Sequence, residues 1–164
     1  MQIINNKYTS KIILILLIFF LDRVSKIYIL NYFNDNQIQE IIISQFLSIL
    51  LIWNEGIAFG LLNFDNYLVY NIITFIIFFI TLIILFLAFK SEHYSGYFFT
   101  IIFGGALGNL YDRITLSAVP DFIDLHIGNY HWFIFNVADI FITIGIICLI
   151  FDELFLNKMK NEKD

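Results

Sequence analysis

Carboxylates and amides set inside long apolar runs are the residues of this sequence that could do chemistry. Asp22, Ser25 and Lys26 fall at i, i+3 and i+4, a spacing that puts side chains on one helical face. Gly105, Asn109, Asp112 and Arg113 form a second stripe, and Asn136, Asp139 and Thr143 a third. Asp121 and Asp124 stand between these two stripes. A charged side chain costs about 2.5–3.5 kcal/mol at the centre of a membrane helix, so it usually marks function. Two carboxylates held together cannot both ionise cheaply, and one keeps a proton while the other stays charged. Such a pair can hydrolyse an amide: the charged member draws a proton from water, and the protonated member serves the oxyanion and the leaving nitrogen. Neither a metal, a cofactor nor a covalent intermediate is required. The residues alone nominate Asp139, and leave Asp121, Asp124 and Asp112 as its possible partners. Taken singly, Asn136, Thr143 and Ser25 read as polar glue between helices, at about 1 kcal/mol each.

The elements that carry these stripes follow from composition. Of 164 residues 60% are hydrophobic and 14% charged, against roughly 25% charged in soluble domains. Mean hydropathy is +0.82. So few charges cannot cover the apolar surface of a soluble domain, and the lipid bilayer is the implied solvent. A net charge of −5 without a basic stripe excludes nucleic acid as a partner. Cys148 lies alone in an apolar run and reads as packing. Four stretches match the roughly 20 apolar residues of a span: about 12–30, 67–89, 94–111 and 132–155. Asp22, Arg23 and Lys26 follow the first apolar run where a cleavable signal would show small residues, so that run reads as a retained span.

Lys7, Lys11, Lys90, Lys158, Lys160 and Lys163 flank one side of these spans, and 31–66 contains no Lys or Arg. The bias places both termini in the cytoplasm and the segments 31–66 and 112–131 on the outer side. All three stripes then lie in the outer half of the bilayer, with Asp139 about 10 Å below the outer end of the fourth span. The Ile-rich run 41–53 is too short to span and favours strands at the bilayer surface. The expected architecture is an all-α membrane protein of four transmembrane helices with a small extracytoplasmic β-rich segment, in one domain, 1–164. Gly104 and Gly108 read as a close helix contact, while Gly105, on the stripe of Asn109, leaves room for substrate.

Five blocks also match a known family in order and spacing: Asp22-Arg-Val-Ser-Lys26, Asn54-Glu-Gly-Ile-Ala-Phe-Gly60, Gly104-Gly-Ala-Leu-Gly-Asn-Leu-Tyr-Asp-Arg113, Val119-Pro-Asp-Phe122 and Phe135-Asn-Val-Ala-Asp139. The chain resembles lipoprotein signal peptidase (signal peptidase II), the bacterial inner-membrane aspartyl peptidase, over essentially its whole length. The resemblance implies that Asp121 and Asp139 are catalytic, and that Asp22, Asn54, Asn109, Arg113 and Asn136 serve the site. It implies a prolipoprotein substrate with a diacylglyceryl cysteine, cleaved just before that cysteine, and membrane lipid as a second partner. Two departures stand out: Ile57 follows Gly56, and Pro120 precedes the first aspartate, where it restricts the backbone of an expected outer loop. Asp124 is expected to be solvated or structural, Asp112 to pair with Arg113, and Asp22 with Lys26. His126 and His131, near Asp121 and Asp124, match no helical metal motif, and their role is open. A carrier would use intramembrane charge too, but the inverted repeat expected of one is not visible.

Overall fold

A computed structural model describes residues 2–56, 67–91, 94–128 and 130–156. Helix α1 (Gln2–Asn36) is followed by strands β1 (Glu40–Ser44) and β2 (Leu47–Asn54), then by helices α2 (Tyr67–Lys90) and α3 (Ser95–Leu116). Strands β3 (Val119–Ile127) and β4 (Tyr130–Phe135) lead directly into α4 (Val137–Phe151), which ends in a π-helical turn, Asp152–Leu156. The four strands form one antiparallel sheet in the order β1-β2-β3-β4. The Ile-rich run 41–53 is thus the first hairpin, as its β-branched content favours.

Helix α3 is the hub, packed against α1, α2 and α4. Its glycines set the distances. A β-carbon at Gly104 would meet Ile18 at 2.9 Å, and one at Gly108 would meet Asp22 Oδ2 at 2.5 Å. Both glycines therefore admit α1, the expected close contact. Gly105 admits α4 instead: its β-carbon would lie 2.5 Å from the Ala138 carbonyl oxygen. That space holds helix backbone, which corrects the expectation that it is left for substrate. Lys11 is buried and donates to the Ala88 and Ser91 carbonyls (2.5 and 3.2 Å), groups that the end of α2 leaves without helical partners.

The distribution of polarity is inverted relative to a soluble protein. Phe75, Phe79, Ile83 and Phe86 of α2 are exposed, while Asp22, Lys26, Asp112 and Asn136 are buried. Apolar outside and polar inside suits a chain whose solvent is hydrocarbon. Among the described residues, one helix, Leu68–Lys90, is long and apolar enough to cross a membrane by length and composition. Polar stripes lower the hydropathy of α1 and α3, whereas α4 is apolar but only 15 residues long.

Two expected boundaries change. Residues 132–135, assigned to the fourth span, belong to β4, because an apolar aromatic run of that length suits a strand as well as a helix. Asp139 consequently lies in the first turn of α4 rather than about 10 Å along the helix from its start. Asp121 lies on strand β3 rather than on a loop, paired with Ile52 of β2. Pro120 fits there because it stands near the strand's start.

The α3–α4 contact yields a test. Gly105→Ala would drive a methyl group into helix backbone that cannot step aside cheaply, at a cost of about 1–3 kcal/mol. The expected result is a lower thermal midpoint in detergent; an unchanged midpoint would show that α4 does not pack this closely.

Candidate active site

Parity along β3 separates the two outer aspartates. Side chains three apart on a strand leave opposite faces. Asp124 turns to one face, where it is buried and accepts from Ser48 Oγ (3.0 Å) and faces His131 Nδ1 (2.7 Å). It is a structural carboxylate that ties β2 and β4 to β3, buried rather than solvated. His126 turns its Nδ1 to the Gly128 carbonyl at 3.3 Å. Asp121 faces the helices. Because Ile52 is its strand partner, Asn54, two residues on, shares its face.

The other carboxylate is built by the start of α4. Asn136 is the N-cap, and its Oδ1 accepts from the Asp139 backbone N–H (3.2 Å). Asp139 answers with Oδ2, which accepts from the Asn136 N–H (3.1 Å), closing a capping box. The amide end of Asn136 remains free of the cap and donates Nδ2 to Asp121 Oδ1 at 2.5 Å. One asparagine thereby holds both candidate carboxylates. Asn54 Nδ2 donates to Asp121 Oδ2 at 2.9 Å, its own Oδ1 pinned by the Gly56 N–H (3.0 Å). Asn109 Nδ2 donates to Asp139 Oδ1 at 2.8 Å.

Asn54, Asn109, Arg113, Asp121, Asn136 and Asp139 all line one cavity of about 360 Å³. Apart from Thr143 its remaining wall is apolar, including Ile77, Ala106, Phe135, Ile142 and Ile146. A neighbouring groove of about 390 Å³ along Phe133, Phe135, Ile140 and Ile144 shares Asp139 and Thr143 with it. Asp121 is 4% exposed. Burial and then the charge of Asp139 push its carboxyl up to about 6, against the pull of the Asn54 and Asn136 amides and of Lys26.

Asp22 and Lys26 do not line the cavity; they stand behind it. Lys26 Nζ donates to Asp22 on its own helix (3.0 Å), as expected, and also to Asp112 (2.7 Å) and Asn109 Oδ1 (2.9 Å). Asp22 Oδ1 in turn accepts the Ala138 N–H of α4 at 3.0 Å. The expected pairing of Asp112 with Arg113 is not formed. Asp112 binds Arg23 through both guanidinium ends as well as Lys26, while Arg113 crosses to the Gly56 carbonyl (2.5 Å). Adjacent residues on a helix point about 100° apart, so neighbours in sequence serve different faces. Ser25 donates to the Asp22 carbonyl of its own helix and links no second helix.

Arg23 is the functional neighbour that the stripes missed. Its guanidinium lies over the Tyr111 ring at 5.0 Å and joins Asp112 and Asp22. Charge balance could have found it, since two buried acids beside one lysine need a second cation. Residues 57–60 of the second sequence block, His93, and the lysines at 158, 160 and 163 lie outside the described residues.

Two carboxylates held by one asparagine, inside an apolar-walled cavity of a helical membrane protein, form an arrangement that can carry out acid–base hydrolysis. Comparison with known proteins gives the family. The family model for signal peptidase (SPase) II matches residues 14–155. A lipoprotein signal peptidase of Pelagibacter ubique (strain HTCC1062) is 52% identical over 154 residues, 93% of each chain. One from Anaplasma marginale (strain Florida) is 38% identical, over 85% of this chain and 81% of its own. A solved bacterial membrane enzyme superposes with a TM-score of 0.71 at 30% identity, covering 95% of this chain and 93% of its own. The chain belongs to the signal peptidase II family and is an integral membrane protein.

The raised carboxyl of Asp121 makes a pH prediction. The folded chain binds that proton more tightly than the unfolded chain does, so ionisation weakens the fold as pH climbs from about 4 through about 6. Asp121→Asn has no such proton to lose. Its stability relative to the unsubstituted protein, followed by thermal unfolding, should rise between pH 5 and pH 8 by an amount on the order of 1 kcal/mol. A difference that stays flat across this range would contradict the carboxyl's environment.

Proposed function

We propose that Asp121 and Asp139 are the catalytic pair of a membrane aspartic endopeptidase that removes the signal peptide from prolipoproteins, cutting just before a cysteine that bears diacylglycerol. The observation that carries the assignment is that one residue, Asn136, binds both carboxylates at the wall of one cavity, Asp121 through its side-chain amide and Asp139 through its backbone N–H. Membership of the family supports the reaction.

The chemistry follows from the pair. One carboxylate takes a proton from water as its oxygen adds to the scissile carbonyl carbon. The protonated partner donates to the oxyanion and then gives its proton to the nitrogen as the C–N bond breaks. The pair ends with one proton, as it began, carried by the other member. Low polarity around the cavity strengthens the repulsion between two charges and so enforces the sharing. The Asn54 and Asn109 amides fix the carboxylate planes, and Arg113 holds the backbone at Gly56 next to the strand that carries Asn54.

The substrate's geometry suits the site. The cavity's apolar wall fits a peptide segment leaving the membrane, and the groove along Phe133, Ile140 and Ile144 offers an apolar surface to lipid chains. Four spans, cytoplasmic termini and a site near the outer face agree with the lysine distribution. With Asp139 in the first turn of α4 and Asp121 on β3, the scissile bond need not descend far from the headgroups.

Cleavage of a diacylglyceryl-modified prolipoprotein by the purified protein tests the assignment. Asp121→Asn and Asp139→Asn should each lower kcat by roughly 10³-fold or more, with the fold retained. Full activity in either variant would remove that residue from the pair. Asp124→Asn should keep kcat near that of the unsubstituted protein, since its carboxylate points to the other face of the sheet.

A further inference from the structure

The buried cluster behind the cavity contains two acids, Asp22 and Asp112, and two bases, Arg23 and Lys26. Its formal charge sums to zero, which lets it lie in an apolar interior. Within it Lys26 is 1% exposed, and its three N–H protons have three acceptors: Asp22, Asp112 and the Asn109 oxygen. An ammonium group offers donors only. It therefore fixes which end of the Asn109 amide faces it, and the NH₂ end is turned to Asp139.

Asp139 is thus held between donors that cannot reverse. Oδ2 faces a backbone N–H in the first turn of α4, where the helix end favours negative charge. Oδ1 faces an amide locked by a cation. The groups facing Asp139 are Asp22 and Lys26 from α1, Asn109 from α3, Asn136 at the start of α4, and Asp121 from β3. Asp121 accepts from two side-chain amides, and their other ends are held by backbone N–H groups rather than by a cation.

We propose that Lys26 is a positioning residue that locks the NH₂ end of Asn109 onto Asp139, so that Asp139 starts the reaction charged and takes the proton from water, leaving the shared proton on Asp121. In the first step one water O–H bond breaks, its proton goes to Asp139, and its oxygen bonds to the scissile carbon. Asp121 then surrenders its proton to the leaving nitrogen. The inference rests on the catalytic pair named above.

The test is cleavage kinetics of a diacylglyceryl-modified prolipoprotein in detergent micelles. Lys26→Met combined with Asp22→Asn keeps the cluster neutral, with Asp112 still paired to Arg23. This variant should lose roughly tenfold or more in kcat while KM changes less than about twofold. Asn109→Asp gives a second reading that leaves Lys26 in place. It keeps an oxygen on Lys26, and hence the structural contact, but offers no donor to Asp139, so kcat should fall by a comparable factor. Normal kcat in Asn109→Asp overturns the proposal whether or not the Lys26 variant folds. Full activity in Asp139→Asn would instead sink the pair itself; an inactive Asp139→Asn beside a normal Asn109→Asp sinks the relay alone.

Discussion

The first turn of α4 is the constraint on which the other parts depend. A helix begins with backbone N–H groups that have no partner within it, and in an apolar solvent each must be satisfied by protein. Here the Asp139 N–H goes to Asn136 and the Ala138 N–H to Asp22 of α1. Meeting that backbone requirement brings two carboxylates and an amide to one helix end, where the helix dipole also favours negative charge. Asn136 then extends the arrangement to the sheet by donating its spare amide to Asp121. The feature that terminates a strand and starts a helix is thus the feature that assembles the candidate site.

Everything around this turn keeps it in place. Gly105 lets α3 approach the carbonyl of Ala138, and Gly108 lets Asp22 slip between α1 and α3. Tyr70 of α2 donates to the Arg113 carbonyl at 2.9 Å, tying α2 to the end of α3 beside the cavity. On the sheet side, the pairing of β2 with β3 sets Asn54 diagonally from Asp121. Helices and sheet therefore each supply one carboxylate, and neither layer alone contains the pair.

How much of this could be read in the sequence depends on whether the information was local. Helical spacing displayed the stripes of Asp22 and Lys26, of Asn109, and of Asn136 and Asp139, because a 3.6-residue period is visible in one segment. The Ile-rich hairpin 41–53 was legible for a similar reason. The start of α4 was not, since Trp132 to Phe135 is apolar enough for either a span or a strand, and only pairing with β3 decides. Resemblance chooses Asp121 over Asp124; the physical difference between them is strand parity, which a loop reading of 112–131 does not contain. Adjacency suggests Arg113 as the partner of Asp112, whereas its partners, Arg23 and Lys26, are more than eighty residues away.

The placement of charge follows a consistent logic. A cation at the cavity wall beside Asp139 would stabilise its charge strongly but would also compete with the substrate for space and with the scissile carbonyl for the carboxylate. Lys26 acts one residue removed, behind Asn109, so its field reaches the site while its donors are already taken. Arg23 completes the cluster by balancing Asp112, without which Lys26 would be drawn toward two unneutralised acids. Arg113, by contrast, directs one guanidinium nitrogen to Gly56 and lines the cavity, its buried Nη1 without a hydrogen-bond partner among the described residues. The interior thus separates two groups of charge: a charge-balanced cluster behind Asn109, and a further cation, Arg113, in the cavity wall.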